Sequence, residues 1–95
     1  MNKVWYIPVS YGARSLSLKA ELEYESNQIQ HIRVYGQKST LLLENNYPML
    51  KNGNGKKGIR WKIREGTFAQ GGLKNAQFLA RIFKELEYVI KHENN

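Results

Sequence analysis

The stretch SLSLKAELEYE, residues 15–25, alternates apolar and polar side chains along its whole length. Leucine, alanine and tyrosine occupy the even positions, while serine, lysine and glutamate occupy the odd positions. Successive side chains of a strand point to opposite faces of a sheet, so this pattern predicts a strand that is buried on one face only. We expect Tyr24 on the buried face, together with the leucines.

The segment IQHIRVYG, residues 29–36, predicts the partner strand of a hairpin. A loop of three residues gives cross-strand pairs of matched polarity or opposite charge: Leu22–Ile32, Ala20–Val34, Glu21–Arg33 and Glu23–His31. Each such pair contributes about 0.2–1 kcal/mol, whereas a two-residue turn would place Leu22 opposite His31. We therefore predict a three-residue loop with Asn27 or Gln28 in the left-handed conformation.

The rest of the chain continues the strand pattern and then changes to helical spacing. The predicted elements are strands over about residues 3–9, 15–25, 29–36, 39–45 and 58–65, and a helix over about residues 73–92. In the last strand the expected inward side chains are Ile59, Trp61 and Ile63, and the expected outward ones are Arg60, Lys62 and Arg64.

Short connections join the predicted strands, which favours antiparallel pairing. A chain of 95 residues corresponds to one domain, which we place over residues 1–95. The sequence predicts an α+β fold, with a mostly antiparallel sheet of four to five strands and one C-terminal helix packed on one face. The other face would be left to water or to a partner. This element order resembles in outline the layout of small single-strand nucleic-acid-binding domains such as the Pur-like domains, and no residue role carries over from it.

The composition removes several classes of function. The chain has no cysteine, which excludes disulfides, thiolate metal sites and cysteine nucleophiles. It has no aspartate, and its histidines, His31 and His92, are not at metal-ligand spacing. We therefore expect neither an enzyme nor a metal or cofactor site. Because we recognise neither a secretory leader nor a membrane-spanning run, we expect a cytoplasmic protein without a membrane partner.

The net charge is +7, and much of the positive charge lies in one part of the chain. Between residues 51 and 64 no carboxylate interrupts the following cations: Lys51, Lys56, Lys57, Arg60, Lys62 and Arg64. On an extended strand, alternate cations would share one face at intervals of about 6.5–7 Å. This spacing is comparable with that of phosphates along an extended nucleic-acid strand, and a basic balance favours polyanionic partners.

Two functions are compatible with these residues. The first is a small non-enzymatic nucleic-acid-binding protein that holds a phosphate backbone by charge neutralisation, with single-stranded nucleic acid as the expected partner. Its predicted contact residues are Lys56, Lys57, Arg60, Lys62, Arg64, Arg33 and Tyr35. The alternative is a protein-interaction or oligomerisation module that uses the open sheet face or an unpaired edge, where the cations keep the edge soluble. The alternative predicts that the cations pair with neighbouring glutamates.

Overall fold

Five strands and two helices are present in the part of the chain that the computed structural model describes, which comprises residues 3–11, 13–36, 40–52, 58–66 and 72–92. In chain order they are β1 (Val4–Tyr11), β2 (Arg14–Glu25), β3 (Gln30–Tyr35), β4 (Thr40–Asn45), α1 (Tyr47–Asn52), β5 (Trp61–Glu65) and α2 (Gly72–His92). The predicted turn at residues 36–39 lies mostly outside the described residues.

The strands form one antiparallel sheet in the order β1-β2-β3-β4-β5, so each strand pairs with its neighbours in the chain. Helix α2 crosses one face of this sheet. Its Arg81 Nη1 donates a hydrogen bond of 2.6 Å to the backbone carbonyl of Ser10 on β1. Further along the helix, Phe83 stacks on Trp61 of β5. The predicted α+β fold, with an antiparallel sheet and a C-terminal helix, is confirmed.

The core lies between α2 and the sheet. One stripe of α2, with its members four residues apart, is buried there: Phe78, Ile82, Leu86 and Ile90. The sheet contributes Ile7, Val9, Leu18, Ala20, Leu22, Ile32, Val34, Leu41 and Leu43 to the same cluster. This spacing follows from the helical repeat, which places residues i and i+4 on one face. Removing this apolar surface from water is the main force that holds the helix on the sheet.

The predicted β2–β3 register is confirmed along most of the hairpin. Leu22 lies opposite Ile32, and Ala20 lies opposite Val34. The loop prediction was wrong, since Glu25 pairs with Gln30 and leaves residues 26–29 as a four-residue loop.

Ser26 shapes this four-residue loop. Its Oγ accepts hydrogen bonds of 3.1 Å from the backbone N–H groups of Gln28 and Ile29. Its own N–H donates to the carbonyl of Ile29 at 2.9 Å. The prediction of a left-handed residue at Asn27 or Gln28 was also wrong, because no non-glycine residue in the described part has a positive φ. The serine side chain satisfies the loop amides instead.

A β-bulge in β2 reconciles the longer loop with the predicted register. The register shifts between Leu22 and Tyr24, so Glu23 is the extra residue and Tyr24 lies opposite His31. The predicted pair of Glu23 with His31 was therefore wrong. The shift also carries Tyr24 out of the core, where it is 51% exposed and its ring centroid lies 5.3 Å from that of His31.

Strand β5 is shorter than predicted, because it begins at Trp61 and not at Gly58. Trp61 pairs with Asn45, the last residue of β4, so the residues before Trp61 have no strand partner. The backbone N–H of Arg60 instead donates to Asn46 Oδ1 at 2.8 Å. Ile63 lies on the core side, as predicted, opposite Leu43. It nevertheless remains 44% exposed, because it lies at the edge of the sheet.

The short helix α1 was not predicted from the sequence. Asn45 organises its start, since its Oδ1 accepts a hydrogen bond of 2.9 Å from the backbone N–H of Tyr47. The Asn45 side chain is buried, and its Nδ2 donates to Gln30 Oε1 at 3.0 Å. Gln30 Nε2 in turn donates to Glu25 Oε2 at 2.8 Å. This chain of hydrogen bonds satisfies the polar groups at the end of the core.

Candidate binding surfaces

The sheet face opposite α2 is called here the open face. Pairing across the strands places the following polar and aromatic side chains on it: Tyr6, Lys19, Glu21, His31, Arg33, Tyr35, Thr40, Glu44, Lys62 and Glu65. The predicted contact residues Arg33 and Tyr35 therefore lie on this face. The hypothesis that Arg60, Lys62 and Arg64 hold a phosphate backbone depends on this surface.

Arg33 lies at the centre of a hydrogen-bonded network on the open face. Its Nε donates to Glu23 Oε2 at 2.7 Å, and its Nη1 donates to Thr40 Oγ1 at 3.0 Å. Its Nη2 lies 3.5 Å from Glu65 Oε1. The hydrogen bond to Glu23 raises the pKa of the guanidinium, partial burial opposes that rise, and the charges of both carboxylates add to it. Arg33 is thus already engaged by two carboxylates.

Tyr35 is also engaged by an acidic side chain. Its hydroxyl donates a hydrogen bond of 2.8 Å to Glu21 Oε1. That hydrogen bond raises the pKa of Tyr35, and burial and the charge of Glu21 act in the same direction. Lys19 Nζ lies 5.1 Å from the centre of the Tyr35 ring, within the range of a cation–π contact. The ring is therefore covered by a cation of its own chain.

Glu44 neutralises the next part of the open face. Its Oε1 lies 3.0 Å from His31 Nε2 and 3.8 Å from Arg64 Nη1. It also lies opposite Lys62 in the sheet register. One of the three outward cations predicted for the basic strand is therefore within ion-pair distance of a carboxylate.

The formal charges of the open face cancel. Its cations are Lys19, Arg33, Lys62 and Arg64, and its carboxylates are Glu21, Glu23, Glu44 and Glu65. The carboxylates lie between the cations, which is the pattern expected of a solvated, salt-bridged sheet surface. The net positive charge of the chain must therefore lie elsewhere.

The remaining predicted contact residues are Lys56, Lys57, Arg60 and Lys62. Lys56 and Lys57 lie outside the described residues. Arg60 and Lys62 are exposed, and neither forms an ion pair with another described residue. Arg60 precedes β5, so the structure does not combine Arg60, Lys62 and Arg64 into one regular row on a strand.

A second basic surface lies on the side of α2 that faces away from the sheet. It is called here the outer helix face and consists of Gln77, Arg81, Lys84, Tyr88 and Lys91, all of which are exposed. Helical geometry places these residues within one narrow stripe. Glu85 and Glu87 lie on its flanks and are half-buried.

The outer helix face contains cations and an aromatic ring but no carboxylate within its stripe. Tyr88 is 61% exposed, and its ring stacks against His92 with centroids 4.2 Å apart. Neither Lys84 nor Lys91 forms an ion pair with another described residue. The spacing of three and four residues between these side chains is the signal in the sequence that could have identified a basic stripe.

Trp61 fixes β5 to α2. Its indole ring stacks on Phe83 with centroids 5.1 Å apart and an interplanar angle of 11°. Its Nε1 donates a hydrogen bond of 2.9 Å to Glu87 Oε2. The sheet edge and the flank of the outer helix face are thereby held in one fixed arrangement.

The described residues contain no group of three or more histidine or carboxylate side chains placed to hold a metal ion. Their helices are all too short or too polar to cross a membrane. No protein-family model, curated protein or solved structure matches this chain.

Proposed function

We propose that this chain is a small non-enzymatic nucleic-acid-binding protein, and that the outer helix face makes the principal phosphate contacts. The observation that carries the proposal is the separation of charge. The open face is neutral, whereas Lys84 and Lys91 on the outer helix face form no ion pair with another described residue. Arg81 lies on the same stripe and also donates a hydrogen bond to the carbonyl of Ser10, and Glu85 and Glu87 lie on the flanks of the stripe. The chain as a whole has a net charge of +7, to which these cations contribute, and a net positive charge attracts polyanions.

The shape of the surface favours a duplex over a single strand. Lys84 and Lys91 are separated by about 10 Å along the helix axis, and Arg81 extends the stripe by about one turn. A convex helix fits the major groove or the phosphate rim of B-form DNA. Single strands are instead bound in grooves whose aromatic side chains stack on the bases. Tyr35 is hydrogen-bonded to Glu21 and covered by Lys19, so it does not offer a free ring for stacking.

Binding of α2 to a membrane surface, which is a common function of basic amphipathic helices, is disfavoured. Such a helix binds bilayers by inserting its apolar face among the lipids. The apolar face of α2, including Ile82 and Leu86, is already buried against the sheet. The outer helix face therefore offers charge to a polyanion but little apolar surface to a bilayer. A cytoplasmic location, where nucleic acid is accessible, is part of the proposal.

The experiment is fluorescence anisotropy with labelled duplex DNA, single-stranded DNA and duplex RNA of one sequence, across a salt series. We expect duplex DNA to bind most tightly, with an affinity that falls as salt rises. The double variant Lys84→Gln/Lys91→Gln should reduce the slope of log K against log salt by about two, since each lost duplex phosphate contact removes close to one unit.

Two matched variants locate the contact surface. Arg60→Gln/Lys62→Gln removes the same charge from the region of the basic strand, and Arg14→Gln/Lys51→Gln removes it from exposed positions elsewhere. If only the basic-strand variant reduces the slope, the phosphate contacts are on the strand and the helix assignment is wrong. If the unmodified protein binds no oligonucleotide at low salt, the proposed function is wrong.

A further inference from the structure

The outer edge of β5 differs from the other edge of the sheet. Within the described residues β5 pairs with β4 alone, and its last four side chains, Lys62 to Glu65, are all exposed. The opposite edge strand, β1, contains Pro8, which has no backbone N–H to donate, and it lies beside α2. β5 is therefore the edge at which the sheet can be extended by a further strand.

The two faces of this edge have different chemistry. On the core side, Ile63 pairs with the buried Leu43 but is itself 44% exposed. On the open face lie Lys62, which has no ion pair among the described residues, and Arg64, which is the extra residue of a bulge in β5 and lies 3.8 Å from Glu44. Glu65 also lies on this face, where it is 3.5 Å from Arg33. An added strand would cover Ile63 with one side and meet the cations with the other.

A second copy of β5 does not complement this pattern. Antiparallel self-pairing centred on Ile63 would place Lys62 of one copy opposite Arg64 of the other. Like charges directly opposite each other destabilise a strand pair. The same cations would stabilise a strand that carries carboxylates at those positions. The charges at this edge therefore disfavour pairing with a second copy of β5 and favour pairing with an acidic strand.

We infer that the edge of β5 binds an extended segment of a partner protein in which acidic residues alternate with apolar residues. Backbone hydrogen bonds would add this segment to the sheet, the apolar residue would cover Ile63, and the acidic residues would face Lys62 and Arg64. Trp61 keeps the edge in place through Phe83 and Glu87. The inference does not rest on the nucleic-acid proposal, because it uses another surface and another partner.

The test uses a fluorescent heptapeptide, blocked at both ends, in which glutamate alternates with valine. A second peptide has lysine in place of glutamate, and a third has the acidic sequence with alternate backbone nitrogens methylated. Binding to the full chain is measured by anisotropy at low and moderate salt. We expect the acidic peptide to bind, and the lysine and N-methylated peptides to bind at least about tenfold more weakly.

Substitutions in the protein locate the site. Ile63→Thr and Lys62→Gln should each weaken binding of the acidic peptide by about two- to fivefold. Met49→Thr and Lys51→Gln, at exposed positions on α1, are the matched controls and should leave it unchanged. Circular dichroism of each variant establishes that the fold is retained. The Lys84→Gln/Lys91→Gln variant should bind the peptide as the parent does, which separates this inference from the nucleic-acid proposal.

Several results would overturn the inference. Equal binding of the acidic and lysine peptides, or full binding by the Ile63 and Lys62 variants, would remove β5 as the site. A dimer in sedimentation experiments that Ile63→Thr dissociates would show that the occupant is a second copy. Competition between the peptide and duplex DNA, abolished by Lys62→Gln, would assign the edge to nucleic acid instead.

Discussion

Trp61 and Glu87 join the edge strand to the helix, although they are separated by 26 positions in the chain. The indole Nε1 donates to Glu87 Oε2 at 2.9 Å while the ring stacks on Phe83. Trp61→Phe should keep most of the stacking and lose the donor. We expect this change to lower the free energy of unfolding by about 0.5–1.5 kcal/mol, the usual contribution of one hydrogen bond.

A double-mutant cycle with Glu87→Ala isolates that hydrogen bond. The coupling energy between Trp61 and Glu87, measured by urea denaturation, should be about 0.5–1.5 kcal/mol. Glu85→Gln, at a half-buried neighbouring position, is the control and should couple to Trp61 by less than about 0.5 kcal/mol. A coupling energy near zero for Glu87 would mean that water replaces the interaction without loss.

Leu86 is fully buried between α2 and the sheet. Leu86→Ala should lower the free energy of unfolding by about 2–5 kcal/mol, because the change removes buried apolar atoms and leaves a cavity in the core. The half-buried Phe83 contacts Trp61, and Phe83→Ala is expected at the lower end of the same range. Tyr88→Ala, on the outer helix face, is the control and should change stability by less than about 0.5 kcal/mol. If both core variants lowered the free energy of unfolding by less than about 1 kcal/mol, the packing of α2 on the sheet would be contradicted.

Gly66 ends β5 with a φ of +86°, a conformation that costs other residues strain. A Cβ at this position would collide with the backbone carbonyl oxygen of Thr40. Gly66→Ala should therefore lower the free energy of unfolding by at least about 1 kcal/mol, measured by thermal or urea denaturation. Gly58→Ala is the matched control, because a Cβ there meets no atom within 4 Å. Equal stability of the two variants would contradict the geometry of the β5 terminus.

The raised pKa of Tyr35 predicts a change of stability at alkaline pH. The folded chain holds the phenol proton more tightly than the unfolded chain, because the hydroxyl donates to Glu21. This contribution is fully present below the unfolded pKa of about 10 and is lost as the pH rises through the higher folded value. The stability difference between the parent and Tyr35→Phe should thus be constant from pH 7 to about pH 9.5 and should decline above it.

Urea denaturation at intervals of pH measures that difference. Tyr6→Phe is the control, because the Tyr6 hydroxyl makes no hydrogen bond with another described residue and its side chain is largely exposed. The stability difference for this control should not follow the same alkaline decline. If the parent and Tyr35→Phe lose stability in parallel at high pH, the hydrogen bond to Glu21 does not determine the titration.

The architecture could be predicted because strict alternation and helical spacing are strong local signals. The pairs Leu22–Ile32 and Ala20–Val34 followed from matching polarity across the hairpin, and the structure has them. The sequence could not reveal that the loop gains one residue while the bulge at Glu23 absorbs it. The longer loop and the bulge compensate each other, so the register from Leu22 onwards is the predicted one. Their effect is visible at Tyr24, which lies outside the core.

The candidate sites were harder to predict, because side-chain partners depend on neighbours in space. The sequence predicted Glu21 opposite Arg33, yet Glu23 and Glu65 are the carboxylates that reach the guanidinium of Arg33. Glu44 of the neighbouring strand reaches Arg64. Conversely, Lys84 and Lys91 look like ordinary helix surface in the sequence, and only the structure shows that neither forms an ion pair with another described residue. The position of acidic side chains across the sheet, and not the number of cations, decides which surface is basic.

The sheet order has a consequence for the synthesis of the protein on the ribosome. All five strands can pair as soon as they emerge, because each lies beside its neighbour in the chain. The helix that covers them ends 27 positions after the last strand, at His92. At translation rates of about 5–20 residues per second, this interval lasts about 1–5 s. During that time the apolar face around Ile32 and Leu43 has no helix over it, and exposed apolar surface of this kind promotes aggregation.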